Sequence, residues 1–256
     1  MRLHVHEWGD PSGPPLVCVH GVSAHGRRFR RLAEERWAER FHVLAPDLRG
    51  HAFSPWEPPW NLGQLVGDLV ETTGVAATWI GHSLGGRLVL ELAAHHPELV
   101  ERAVLLDPAI QVLPNVALDL AQQQCEDGSY GSVEEAIEAC RQFASLTPTA
   151  VIEEDMSEHL VQGADGRFRL RCARAAVANL YGELATSPPP PETLRVATLL
   201  VYAPAFSLVR DDQLDVYRAA LGERLTVVAV PGGHMVFWDA YEETAAAIDA
   251  FLDDGG

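Results

Sequence analysis

The feature that most constrains this chain is an alternation. Short β-rich apolar runs at residues 3–8, 16–20, 41–45, 77–81 and 103–106 are separated by stretches with helical periodicity. Residues 28–40 place Phe29, Leu32, Ala33 and Trp37 on one face. Residues 62–73 follow Asn61, a capping residue, with Gln64 at the third helical position. Residues 84–96 are apolar at Leu84, Leu88 and Leu92 and stop at Pro97. Strands separated by helices of this length need crossover connections, so the spacing predicts an α/β fold with a mostly parallel, doubly wound sheet. The later runs are apolar throughout, as expected of strands covered on both faces.

The alternation stops after Asp107 and resumes with a strand at 198–203, a helix at 211–221, a strand at 225–230 and a helix at 238–252. Between them, residues 110–192 look helical; Ser132 and Glu135 form a capping box ahead of Ala136, Ile137 and Cys140. The organisation expected is a core of residues 1–109 and 193–256 and a helical insertion over 110–192. The insertion is charge-polarised. Ten acids and one arginine lie between Asp119 and Glu158, and Arg167, Arg169, Arg171 and Arg174 follow. Such blocks are expected to be solvated faces.

Charge excludes several functions. Lys+Arg total 19 against 36 Asp+Glu, a formal net charge of −17. Nucleic acid and anionic membrane surfaces are disfavoured as partners. All 19 cations are arginine, which removes Schiff-base and Walker-lysine chemistry. No apolar run is long enough to span a bilayer, and the first residues lack a signal-peptide pattern. Cys18, Cys125, Cys140 and Cys172 show no Cys-x-x-Cys pair. The expectation is a cytoplasmic protein with free thiols.

Gly81-His82-Ser83-Leu84-Gly85-Gly86 follows an apolar strand and opens a helix. This strand–turn–helix context is what the G-x-S-x-G nucleophile elbow requires. The glycines remove side chains from a tight turn, Ser83 is presented at the carboxyl end of the sheet, and the Leu84 N–H can face an oxyanion. With Val19-His20-Gly21-Val22, Pro46-Asp47-Leu48-Arg49-Gly50-His51 and Gly232-Gly233-His234, the elbow occurs in an order and spacing that resembles the α/β-hydrolase superfamily, of the esterase, lipase and C–C hydrolase type. The resemblance covers the core; the insertion is similar only in being a helical cap. It implies that Val22 supplies the second oxyanion N–H and that His234 is the general base. His20 is expected to brace its loop, His82 to pack beneath the elbow, and His25 either to face the pocket or to brace. Phe206, Trp56 and Trp60 are candidate pocket residues.

The third member departs from the pattern. The superfamily usually places an Asp in the loop after the penultimate strand, where this chain has Ser207. Asp107, at the end of the strand after the elbow helix, is the acid expected in its place; some lipases and dehalogenases of the superfamily resemble it there. Asp211 and Asp212 are alternatives, although both suit a helix N-terminus. No spacing of two histidines and a carboxylate argues for a metal, and the chemistry requires no cofactor. The function expected is hydrolysis of a small, apolar carboxylic ester through an acyl-enzyme. The alternatives are C–C hydrolysis, lactone opening or perhydrolysis at the same site, and a non-catalytic ligand-binding protein on the same scaffold. Dehalogenase and epoxide-hydrolase chemistry needs an Asp nucleophile where Ser83 stands.

Overall fold

The structure, a computed structural model, describes residues 1–144 and 146–254. Among them, seven strands form one sheet: β1 (Val5–Trp8), β2 (Pro15–Val19), β3 (His42–Pro46), β4 (Ala77–His82), β5 (Val100–Leu106), β8 (Thr198–Tyr202) and β9 (Leu225–Ala229), in the order β1-β3-β2-β4-β5-β8-β9. Every neighbouring pair is parallel except β1 with β3. The fold is therefore the mostly parallel α/β sheet that the alternation predicts.

Both faces are covered. Trp79 of β4 joins a core cluster with Leu65 and Leu69 of α2 (Leu62–Thr73) and Leu88 of α3 (Leu84–His95). Ile80, the next residue, joins a second cluster with Phe29, Trp37 and Ile248. Successive strand side chains point to opposite faces, so one apolar run feeds two cores.

The helix expected over 28–40 is three short pieces: a 3-10 turn Gly26–Phe29, α1 (Arg30–Leu32) and a π-helical turn Ala33–Trp37. The last helix is also divided, into α9 (Val236–Asp239) and α10 (Tyr241–Asp253). The helix α8 (Asp211–Leu221) lies between β8 and β9.

Between β5 and β8 the chain forms α4 (Pro114–Gln123), α5 (Val133–Phe143), α6 (Thr149–His159), a hairpin of β6 (Leu160–Gln162) with β7 (Phe168–Leu170), and α7 (Arg174–Leu184). The hairpin is absent from the sequence expectation. Its turn contains Asp165-Gly166, with Gly166 at φ 76°, a left-handed position suited to glycine. Part of the acidic block is not a solvated face. Glu154, Asp155 and Glu158 of α6 dock on Arg27, Arg28 and Arg30 of the core. The later arginines do local work: Arg169 pairs with Asp165, and Arg174 donates to the carbonyls of Gln123, Gln124 and Glu126. No helix among the described residues is long and apolar enough to cross a membrane.

Candidate active site

Ser83 sits at the turn from β4 into α3 with φ 55° and ψ −116°. A positive φ is unfavourable for serine and persists only where surrounding structure imposes it. Here the Ser83 N–H donates to the Leu106 carbonyl (3.1 Å), and the Ser83 carbonyl accepts from Ala109 N–H (3.0 Å). The flanking glycines are steric requirements. A Cβ on Gly81 would lie 2.3 Å from the Gly85 oxygen, and one on Gly85 would lie 2.0 Å from the Val19 oxygen. Leu84 opens α3, so its N–H has no acceptor within the helix. The loop after β2 lies against the serine, since a Cβ on Gly21 would come within 3.0 Å of Ser83 Cβ. Val22, next in that loop, is thereby brought near the elbow.

Asp107 ends β5. It is fully buried and has φ 38°, a second non-glycine residue in the left-handed region. Its N–H donates to the Val201 carbonyl (2.7 Å), and its Oδ1 accepts from Ala203 N–H (3.3 Å). Its Oδ2 lies 2.6 Å from His234 Nδ1. That contact puts the ring proton on Nδ1 and leaves Nε2 with its lone pair free to accept a proton. Three further groups hold the histidine. Gly233 N–H donates to Asp239 Oδ2 (2.8 Å), His82 Nε2 donates to the His234 carbonyl (3.0 Å), and Phe206 stacks on the imidazole with centroids 4.9 Å apart.

The strand order explains how Asp107 can stand in for an acid in the loop after β8, with His234 following the next strand, β9. β5 and β8 are neighbours, with Leu106 opposite Val201. The end of β5 and the loop after β8 therefore open onto the same place. Ser207, in that loop, is exposed and donates its hydroxyl to the Pro204 carbonyl (3.1 Å). Asp211 and Asp212 open α8, and Asp212 pairs with Arg210 at 3.0 Å. As acids they are spent on a helix start and an ion pair.

The chain matches the alpha/beta hydrolase fold family over residues 14–208. It belongs to the α/β-hydrolase family. It is 35% identical over 269 residues to lipase LipV of Mycobacterium tuberculosis, with 98% of each chain covered. It is 30% identical over 265 residues to a 2-(acetamidomethylene)succinate hydrolase of Mesorhizobium japonicum, covering 99% of this chain and 92% of that one. The crystal structure of an E-2-(acetamidomethylene)succinate hydrolase superposes with a TM-score of 0.84 at 28% identity, covering 98% and 95% of the two chains. The protein is a hydrolase.

Two buried histidines of this α/β hydrolase, His20 and His82, are neutral splints. His20 accepts from Leu48 N–H at Nε2 (2.9 Å) and donates from Nδ1 to the Gly21 carbonyl (2.8 Å). Burial pushes its titration, and that of His82, well below the ordinary histidine range. His25 is engaged by the insertion: its Nε2 lies 2.9 Å from Asp155 Oδ1, and its ring stacks on His159. It braces that contact. Trp56 donates to the Ala52 carbonyl and Trp60 to the Trp56 carbonyl, so both tie down their own loop.

The fold also gathers what the sequence spacing concealed. The ligand atoms of His4, His6 and Asp47 lie within 4.8 Å of one another. Asp47 already accepts from Gly26 N–H (2.8 Å), Phe53 N–H (3.2 Å) and His6 Nε2 (3.3 Å), which occupies its carboxylate as a loop brace. The contacts of His51, His159 and Asp155 carry no expectation from sequence, because their partners come from distant segments.

Proposed function

We propose that this hydrolase cleaves carboxylic esters through an acyl-enzyme on Ser83. His234 Nε2 takes the Ser83 hydroxyl proton as Oγ attacks the acyl carbon. The N–H groups of Val22 and Leu84 hold the tetrahedral oxyanion. His234 then returns the proton to the leaving alcohol, and a water activated by the same ring releases the acid. Asp107 keeps the proton on Nδ1 and stabilises the imidazolium that forms transiently. The observation that carries this reading is the 2.6 Å contact between a buried carboxylate and Nδ1 of His234, whose ring centroid lies 4.5 Å from that of His82, the residue before a serine held at a strained strand–helix turn.

Residues 110–192 form the cap in this reading. The named activities of relatives support an acyl substrate: lipase LipV, and the 26%-identical sn-1-specific diacylglycerol lipase ABHD11 of Mus musculus. A second reading keeps Ser83 and His234 but cleaves a bond other than a carboxylic ester. The similarity to 2-(acetamidomethylene)succinate hydrolases favours it.

The test is hydrolysis of p-nitrophenyl esters of increasing acyl length by wild type and by Ser83→Ala. Turnover by wild type, lost in Ser83→Ala, is expected, and the length profile measures the pocket. No turnover of any ester, with Ser83 still labelled by a fluorophosphonate, would favour the second reading. No turnover and no labelling would favour a non-catalytic protein.

A further inference from the structure

The loop after β2 carries the Val22 amide, and histidine rings hold its backbone. His20 Nδ1–H donates to the Gly21 carbonyl, which shares a peptide unit with the Val22 N–H. The two groups point opposite ways across a trans peptide, so this bond turns the Val22 amide away from the His20 ring. The next peptide unit ends in the Ser23 N–H, which donates to His51 Nε2 (3.3 Å). The unit after that begins with the Ser23 carbonyl, which accepts from His159 Nε2 (3.1 Å). Ser23 itself has φ 56°. One of these contacts, His159, comes from the insertion.

The proton positions follow from the partners. His51 accepts at Nε2, so its proton is on Nδ1, which donates to the Arg49 carbonyl (3.1 Å). His159 donates at Nε2, which leaves Nδ1 as a bare acceptor. That nitrogen is buried and has no hydrogen-bond partner. An unpartnered buried acceptor is costly, and a leucine would fill the space without that cost. The other ring nitrogen is the one that holds the Ser23 carbonyl. The segment that carries it is also fixed. The His159 carbonyl accepts from Arg171 N–H (2.7 Å), Arg171 O accepts from Ala52 N–H (2.7 Å), and His51 bridges to Cys172. Stacking on His25, with centroids 4.8 Å apart, holds the ring plane.

We propose that His159 is a positioning residue of the hydrolytic site: by holding the Ser23 carbonyl it fixes the loop that presents the Val22 amide, so docking of the insertion completes the oxyanion site. The inference rests on the ester-hydrolase reading above.

The experiment compares wild type, His159→Gln and His159→Asn in steady-state hydrolysis of a p-nitrophenyl ester. A glutamine amide reaches the position of Nε2, whereas an asparagine amide stops near that of Nδ1. His159→Asn is expected to lower kcat about 10- to 100-fold with KM within about threefold, and His159→Gln to keep kcat within about fivefold of wild type. Equal losses in the two variants, a His159→Asn kcat within about twofold of wild type, or a change confined to KM would overturn the clamp while leaving the ester-hydrolase reading intact. If His159→Asn does not fold, His159→Gln decides, and a kcat loss beyond about tenfold overturns the clamp. Absence of ester turnover in wild type would overturn the ester-hydrolase reading itself, and the clamp with it.

Discussion

Asp107 is held in a conformation a free aspartate seldom adopts, buried, with its two oxygens aimed at Ala203 N–H and His234 Nδ1. A residue placed for packing alone has no need of either contact. In the proposed mechanism, asparagine would keep the shape but remove the charge that stabilises the imidazolium and free the ring to take the other tautomer. Asp107→Asn is therefore expected to lower kcat by about 10³- to 10⁴-fold, while Asp211→Asn and Asp212→Asn stay within about twofold of wild type. Parallel ester kinetics on the three variants check this, and a loss of less than about threefold in Asp107→Asn contradicts it. The sequence left the acid open among three positions because Ser207 stands where a carboxylate usually does. The choice turns on β5 and β8 being neighbours, and strand order is a long-range property that local spacing does not encode.

Among the elements, the junction between the insertion and the core has two kinds of ion pair. Arg28 grips Asp155 with two hydrogen bonds of 2.9 and 2.8 Å, both side chains are largely buried, and His25 shares the carboxylate. Arg27–Glu158, at 2.8 Å, lies nearer the surface. Removing one partner of the buried pair strands a guanidinium in a poor solvent, so Asp155→Asn is expected to cost about 3 kcal/mol. Glu158→Gln, in the solvent-screened pair, is expected to cost under about 1 kcal/mol. Urea unfolding of the two variants checks the contrast, and equal costs would contradict it. The alternation and the elbow were legible because period and turn chemistry are local. The ionic junction was not, since the acids of α6 and the arginines at 27–30 are far apart in sequence. The β6–β7 hairpin carried a local signal, Asp165-Gly166, hidden by strands of three residues each between helices.

Across the whole molecule, the buried neutral histidines set a pH limit. His20, His51, His82 and His159 all titrate below the ordinary range, with burial the leading cause, and His51 is lowered to about 4. The unfolded chain protonates its histidines near pH 6.5. Between that value and about 4 the unfolded state binds more protons than the folded state, so stability falls as the pH falls. His51 alone accounts for about 3 kcal/mol across that window. Urea midpoints are expected to drop steeply from neutral pH to about pH 4.5, and less steeply in His51→Gln. Midpoints that stay flat over this range would contradict the neutral-splint account. The histidine count was plain in the sequence, but which rings are buried depends on loops meeting in space.

The proposed reaction passes through a covalent intermediate on Ser83. The most direct measurement is mass spectrometry of wild type and Ser83→Ala after exposure to a fluorophosphonate, followed by peptide mapping. One adduct on the peptide containing Ser83, absent from Ser83→Ala together with ester turnover, is the predicted result. Ester turnover that persists in Ser83→Ala, or an adduct mapping to another residue, would contradict the account.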